Sequence, residues 1–354
     1  MKIFEGKRVL VTGGTGSLGK CLVGRLLKGE DGLPAKIIVL SRDEAKQHEM
    51  RVAYLNRRAP TDEVIFRNFQ QRLEFRIGDI RDPGVVAGAL FSADIVINAA
   101  ALKQVPTCEY FPYEAVRTNV VGAENIVAAL ERHRIPVEIV VGVSTDKACK
   151  PVNAMGLTKA LQERIFIQGN LRVPGTRFVC VRYGNVLASR GSVIPLFHEQ
   201  IRSGGPVTIT SEGMTRFLLS LDDAVDTVFD VIRHARRGET WIPRAPSARI
   251  VDVARALVGS RPIPLAVTGI RPGEKLHEIL ISEEEAPRTV KRGSWFALRS
   301  MLPELGEDDS EPAAFTSDYS SATEPMSFDE TRALLEDKKL MPDQILEEAG
   351  ELLR

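Results

Sequence analysis

The sequence predicts an α/β fold, a doubly wound parallel sheet with a smaller α/β lobe, and three observations carry that reading. Short β-branched runs alternate with helical segments through the first half of the chain. A glycine-rich turn lies between the first run and the first helix, and after residue 187 the pattern breaks into short segments punctuated by Gly and Pro. Strands alternating with helices imply parallel pairing through right-handed crossovers, which makes the sheet Rossmann-like.

Taken in order, KRVLVTG reads as the first strand, Cys21 to Lys28 as a helix, and KIIVLSR, LEFRIGD and ADIVINAAA as the next strands. A helix from about Ala115 to His133, the strand VEIVVGVST, a helix from Leu157 to Gly169 and the strand RFVCVRYGNV complete the unit. Residues 1–186 are therefore expected to form the cofactor-binding sheet, with segments near 221–233 and 250–258 rejoining it. Residues 187–295, with PVTIT and a helix at Asp222 to Arg236, are expected to form the substrate lobe, and 296–354 a linker and terminal helices. The charged stretch Asn56 to Arg72 interrupts a βα unit and reads as a surface insertion. Gly306 to Pro325 is acidic and Ser/Thr-rich, hence a loop or linker, and DETRALLEDKKL and PDQILEEAGELLR read as two helices, the second opened by Pro342.

Composition narrows the function. The chain has 354 residues, 44% of them hydrophobic, and 47 basic side chains against 47 acidic ones, so disordered and fibrous classes are excluded and nucleic acid is not the expected main partner. No run approaches the roughly 20 apolar residues of a membrane span. The start MKIFEGKRVLVTGG leads straight into a strand, with no signal peptide, and a soluble cytoplasmic protein is expected. Cys21, Cys108, Cys149 and Cys180 lack CxxC pairing, and none of the five histidines has ligand spacing, so reduced thiols and no metal are expected.

The run VTGGTGSLG places Gly13, Gly16 and Gly19, with Thr15, Ser17 and Leu18, where backbone amides can meet a pyrophosphate at a helix N-terminus. The second strand ends in Ser41 and Arg42, where a diol-binding acid commonly stands; a guanidinium there suits a 2′-phosphate, so NADP is expected, with neighbouring Asp43 leaving NAD as the alternative. Asp79 and Ile80 follow the third strand, at the adenine, and Ala99, Ala100 and Ala101 follow the fourth, where small side chains let a dinucleotide pass. The fifth strand delivers STDKACKPVNAMGLTK to the carboxyl edge, where open α/β sheets place their chemistry.

The segments TGGTGSLG, SRDE, AAALKQVPTCEYFPYEAVRTNV, STDKACKPVNAMGLTKA, RYGNVLASRGSVIPLF, MTRFLLSLDDAV and RPGEKLHEIL resemble the extended short-chain dehydrogenase/reductase family. Within it they are most similar to the UDP-N-acetylglucosamine 4,6-dehydratases of bacterial surface-sugar synthesis, over Lys7 to Glu285. The resemblance implies oxidation at C4 of a UDP-sugar, loss of the C5 proton and the C6 hydroxyl, and return of the hydride at C6. It implies Lys147 as the C5 base, Asp146 as the acid at O6, Thr145 or Ser144 at the sugar 4-oxygen, and Lys159 on the nicotinamide ribose. For those roles the lysine pKa must fall and that of the aspartic acid must rise, as burial under a bound sugar provides. Lys103, Asn185, Ser192, Arg216, Arg271 and Glu274 match substrate-side positions, the guanidiniums suited to a diphosphate. The family's Tyr-x-x-x-Lys pair is Met155 and Lys159 here, and a thioether transfers no proton; a relay from Thr145 through water to Lys159 is the expected substitute. C5-retaining relatives are typically longer and membrane-anchored, so inversion at C5 is expected, in a homo-oligomer. The alternatives are a UDP-sugar 4-epimerase, sharing fold and cofactor, and a non-catalytic sensor, suggested only by Met155.

Overall fold

The computed structural model describes residues 2–55, 68–187, 192–306 and 311–344. The strands β1 (Arg8–Thr12), β2 (Lys36–Ser41), β3 (Leu73–Ile77), β4 (Ile95–Asn98), β5 (Ile139–Val143) and β6 (Arg177–Val181) pair in parallel. Most are unbroken apolar runs because helices cover both faces. Their spatial order is β3-β2-β1-β4-β5-β6, so the crossovers run outward in opposite directions from β1 and β4 and leave a crevice at their carboxyl ends.

The sheet continues past Val186, where the sequence reading placed the start of the lobe. β7 (Thr240–Pro243) adds parallel to β6, and β8 (Thr289–Arg292) and β9 (Trp295–Leu298) extend it antiparallel, giving nine strands among the described residues. Every residue of β7 is buried, as a central strand requires, but a four-residue run is too short to be told from a lobe strand by its pattern.

On one face, Leu22, Val23, Leu26 and Leu27 of the helix Ser17–Lys28 pack with Val225, Val228, Phe229 and Ile232 of the helix Leu221–His234. The latter rejoins the large unit, its start held by a capping box between Ser220 and Asp223. On the other face, Val86 and Leu90 meet Ile126, Val127, Leu130 and Phe166 from the helices Pro83–Leu90, Gly122–His133 and Ala154–Arg172.

A separate core belongs to the lobe, where Ile194 and Phe197 pack with Val251, Ala254, Leu257 and Leu335. The helix Ile250–Val258, expected on the large sheet, packs here instead, because its wide apolar face meets the helices Val193–Arg202 and Phe328–Asp337. The acidic stretch after 306 is no free linker where it is described. Phe315 and Tyr319 bury against Phe296 and Phe217, and Tyr319–Ser320 pairs with Ile279–Ile281, forming a strap across the sheet's far end. Its two aromatics outweigh its lack of aliphatics. Of the charged insertion, residues 68–72 are helical with Phe69 stacked on Tyr54, while 56–67 lie outside the described residues, as do Glu307 to Ser310 and the second terminal helix beyond Gln344. Among the described residues no helix is long and apolar enough to cross a membrane.

Candidate active site

The glycine turn is built backbone on backbone. Gly13 has φ +66°, and a Cβ there would lie 2.8 Å from the backbone N and Cα of Ala100; one on Gly19 would lie 2.5 Å from Gly14 Cα. Only glycine permits both approaches. The helix Ser17–Lys28 starts at Gly16 with no side-chain cap and no acidic residue in its first turn, so the positive end of its dipole faces the turn. Thr12 Oγ1 donates to Asn98 Oδ1 at 2.6 Å and accepts from the Ala100 amide, locking Ala99 to Ala101 beside the turn. These features fit a dinucleotide pyrophosphate.

At the end of β2, Ser41 Oγ lies 2.9 Å from Thr15 Oγ1, and the exposed Arg42 guanidinium stands 3.8 Å from Asp79. Asp43 is occupied as a cap: its carboxylate accepts from the Lys46 amide and pairs with the Lys46 ammonium. Burial pushes the Asp79 carboxyl up, but hydrogen bonds from Arg81 and the charges of Arg81 and Arg42 outweigh it and hold the pKa below the usual range. Ile80 is buried against Gly122.

The acid–base groups stand where β5 ends. The Ser144 and Asp146 amides continue the pairing with β6, donating to Val181 and Tyr183 carbonyls, and a tight turn Asp146–Ala148 follows. A Cβ on Gly156 would collide with the Lys147 carbonyl, so this glycine lets the turn sit on the helix Ala154–Arg172. Asn153 caps that helix through the Gly156 amide and donates to the Gly273 carbonyl at 2.7 Å, docking the RPGEK loop on the site.

Lys147 Nζ lies 3.0 Å from Asp146 Oδ1 and 3.2 Å from Glu278 Oε1. Asp146 is fully buried and Glu278 is 2% exposed, and Asp146 Oδ2 and Glu278 Oε2 have no hydrogen-bond partner among the described residues. Burial works against the Lys147 charge, but Asp146 and Glu278 outweigh it and raise its pKa above that of a free lysine. The lowering expected for a base is assigned to burial under a bound sugar; in the protein by itself the fold sets a second carboxylate, Glu278, beside the ammonium. Burial and the Asp146 charge raise the Glu278 pKa.

Lys159 behaves the other way. Its ammonium donates to the Val143 carbonyl at 2.5 Å and to Gln162 Oε1 at 2.7 Å, and burial lowers its pKa to about 8. Thr145 Oγ1 donates to Asp146 Oδ1 at 2.8 Å, so the hydroxyl is turned to the carboxylate rather than toward Lys159. Ser144 donates to Glu163 at 2.5 Å. Met155 is buried in a small apolar cluster with Cys108 and Ala115.

The substrate-side candidates divide. Lys103 and Arg271 are exposed, and the Arg271 amide donates to Glu274 at 3.4 Å. Asn185 Oδ1 and Ser192 Oγ are buried without a partner among the described residues, ready for an added donor or acceptor. Arg216, expected on a diphosphate, is turned inward: it donates to the Thr215, Leu276 and Lys275 carbonyls and stands 3.8 Å from Glu278. A buried guanidinium needs such acceptors. Sequence reasoning missed Glu278, Lys275, whose ammonium donates to the Cys149 carbonyl, and the buried set Arg182, Glu163 and Glu285. Glu278 stood in the quoted motif RPGEKLHEIL; an acidic residue next to a core-facing Ile-Leu-Ile run was the available signal. No group of three or more His, Cys, Asp or Glu residues that could hold a metal occurs among the described residues.

A dinucleotide-type cradle and a buried acid–base set stand on one carboxyl edge of a Rossmann-like sheet, and the proteins this chain is similar to include nucleotide-sugar dehydratases and epimerases. Residues 9–300 match the model of the polysaccharide biosynthesis protein family, and the chain belongs to that family. It is 43% identical over 302 residues to a UDP-glucose 4-epimerase of Rickettsia prowazekii (strain Madrid E), covering 84% of each chain. The crystal structure of Pen from Bacillus thuringiensis superposes with a TM-score of 0.84 at 31% identity, covering 96% of this chain and 99% of that one. DesIV, a dTDP-glucose 4,6-dehydratase from Streptomyces venezuelae solved with NAD and TYD bound, shares the fold at TM-score 0.64 and 24% identity, covering 76% of this chain and 86% of its own.

Proposed function

We propose that this protein is an NADP-dependent 4,6-dehydratase of UDP-N-acetylglucosamine that inverts C5. The observation that carries the reading is Lys147 between two buried carboxylates at the end of β5, together with Met155 where a tyrosine would serve oxidation at C4. Epimerisation at C4 needs no acid and base at C6 and C5, whereas dehydration needs both. Gly13, Thr15, Gly16, Ser17, Leu18 and Gly19 would hold the dinucleotide, with Arg42 at a 2′-phosphate and Asp79 and Ile80 at the adenine. When bound, the nicotinamide supplies a reversible hydride acceptor. Beside a C4 ketone the C5 proton is acidic; with the Lys147 proton first passed to Asp146, Lys147 takes the C5 proton, the C6–O bond breaks, and Asp146 gives its proton to the leaving hydroxide, so water departs and an enone remains. Lys103 and Arg271 would meet the diphosphate, with Asn185, Ser192 and Glu274 orienting the nucleotide, while Arg216 supports Glu278.

The second reading is a UDP-sugar 4-epimerase, favoured by the name carried by the Rickettsia prowazekii relative at 43% identity. Proton NMR of UDP-N-acetylglucosamine incubated with the protein and NADP in heavy water separates them. Dehydration yields a new C6 methyl signal with deuterium at C5, and epimerisation yields an equatorial H4. No methyl signal refutes the first reading, and no change in the sugar at all supports a sensor.

A further inference from the structure

Glu278 lies far from Lys147 in sequence, on the segment leading into the strand Ile279–Ile281, yet its Oε1 is 3.2 Å from Lys147 Nζ. Its backbone is clamped by the strap: the Glu278 amide donates to Ser321 Oγ at 3.0 Å, and its carbonyl accepts from the Ser321 amide at 2.8 Å. Ser321 Oγ is in turn 2.7 Å from Thr215 Oγ1, which lies 2.8 Å from His277 Nδ1. The carboxylate is thus aimed by packed backbone, and one ammonium faces two carboxylates.

We propose that Glu278 is a positioning residue for proton transfer: it shares the Lys147 ammonium with Asp146 and sets its proton affinity, so that Lys147 becomes the base as its proton passes to Asp146, which then holds the proton given at O6. The inference rests on the dehydration reading for the step it serves. The transfer balances internally: an ammonium and a carboxylate become an amine and a carboxylic acid, and no proton leaves the protein. Glu278 suits the role of a fixed anion because its Oε2 is buried with no donor among the described residues, so its charge acts on Lys147 with little screening. The charged groups facing this pair are Asp146, Arg216 at 3.8 Å from Glu278, and Lys275, both cations tempering the carboxylates' hold on Lys147.

The test uses ligand-free protein labelled with 13C at lysine Cε, the Lys147 resonance being assigned by its loss in Lys147→Arg. Removing one of two anions within 4 Å is expected to lower the Lys147 titration point in Glu278→Gln by roughly one to three pH units. An unchanged or higher titration point overturns the proposal. If Glu278→Gln does not fold, Glu278→Asp decides: with the carboxylate drawn back by one methylene, a smaller fall supports the proposal and no fall overturns it. If the parent protein forms no methyl product, dehydration fails as the reaction while the titration still decides on Glu278.

Discussion

Replacing Lys159 by Met tests whether the site holds a cation against its own stability. The Lys159 pKa falls from 10.5 to about 8 because burial strips the ammonium of water, and the nearby Glu163 charge recovers only part of that loss. At about 1.4 kcal/mol per unit, the gap between folded and unfolded states corresponds to about 3 kcal/mol. Below pH 8 the lysine is charged in both states and the folded state carries the whole penalty. Between about 8 and 10.5 the folded lysine is neutral while the unfolded one still binds a proton, so stability rises with pH; above that window the penalty is gone. Lys159→Met has no such group. The Val143 carbonyl keeps the Gln162 Nε2 donor at 3.0 Å, so the substitution leaves it satisfied. Urea unfolding of both proteins at about pH 7 and about pH 10.5 is expected to show wild-type stability gaining about 3 kcal/mol on the variant across that interval. A difference between the two proteins that stays constant with pH would refute the reasoning, because every other titrating group is common to both.

Two further outcomes follow from the same geometry. Arg42→Ala is expected to weaken NADP binding by about 10- to 100-fold, the worth of one or two charge-assisted hydrogen bonds, with NAD binding little changed; calorimetry with both cofactors measures it, and unchanged NADP affinity defeats the cofactor assignment. Arg182→Met strands Glu163 and Glu285, which the guanidinium meets at 2.6 and 2.7 Å, and is expected to cost about 3–5 kcal/mol at neutral pH. Burial pushes the Glu285 carboxyl up and the Arg182 charge more than offsets it, so its pKa is depressed and this stabilisation should fade as pH falls through the carboxylate range, which denaturation at about pH 4 against about pH 7 can check.

Much of this site was legible because its parts are local. Gly13, Gly16 and Gly19 sit within seven residues of one another on a strand–turn–helix, so the cradle they form follows from spacing. Asp146 and Lys147 are neighbours in the chain, and the strand before them places both on the carboxyl edge. Glu278 was not legible in the same way: its approach to Lys147 depends on the strap pairing Tyr319–Ser320 with Ile279–Ile281, a contact between segments that share no periodic pattern. The surroundings of Arg216 were not legible either, for a related reason. An arginine in a strand motif is equally suited to an anion or to buried carbonyls, and burial chose the carbonyls.

By itself the sequence determined the alternating α/β order, the dinucleotide turn and the strand end that carries the acid–base pair, because each is set by backbone preference and side-chain pattern over a few residues. Only the tertiary structure decided that β7, β8 and β9 extend the sheet, that the helix Ile250–Val258 belongs to the lobe, and that Lys147 holds its proton more tightly than a free lysine while Lys159 holds its own less tightly. The reason is electrostatic and geometric: burial works against the charge on both lysines, but the fold sets two carboxylates against the Lys147 Nζ, enough to outweigh the loss of water, whereas at Lys159 burial prevails.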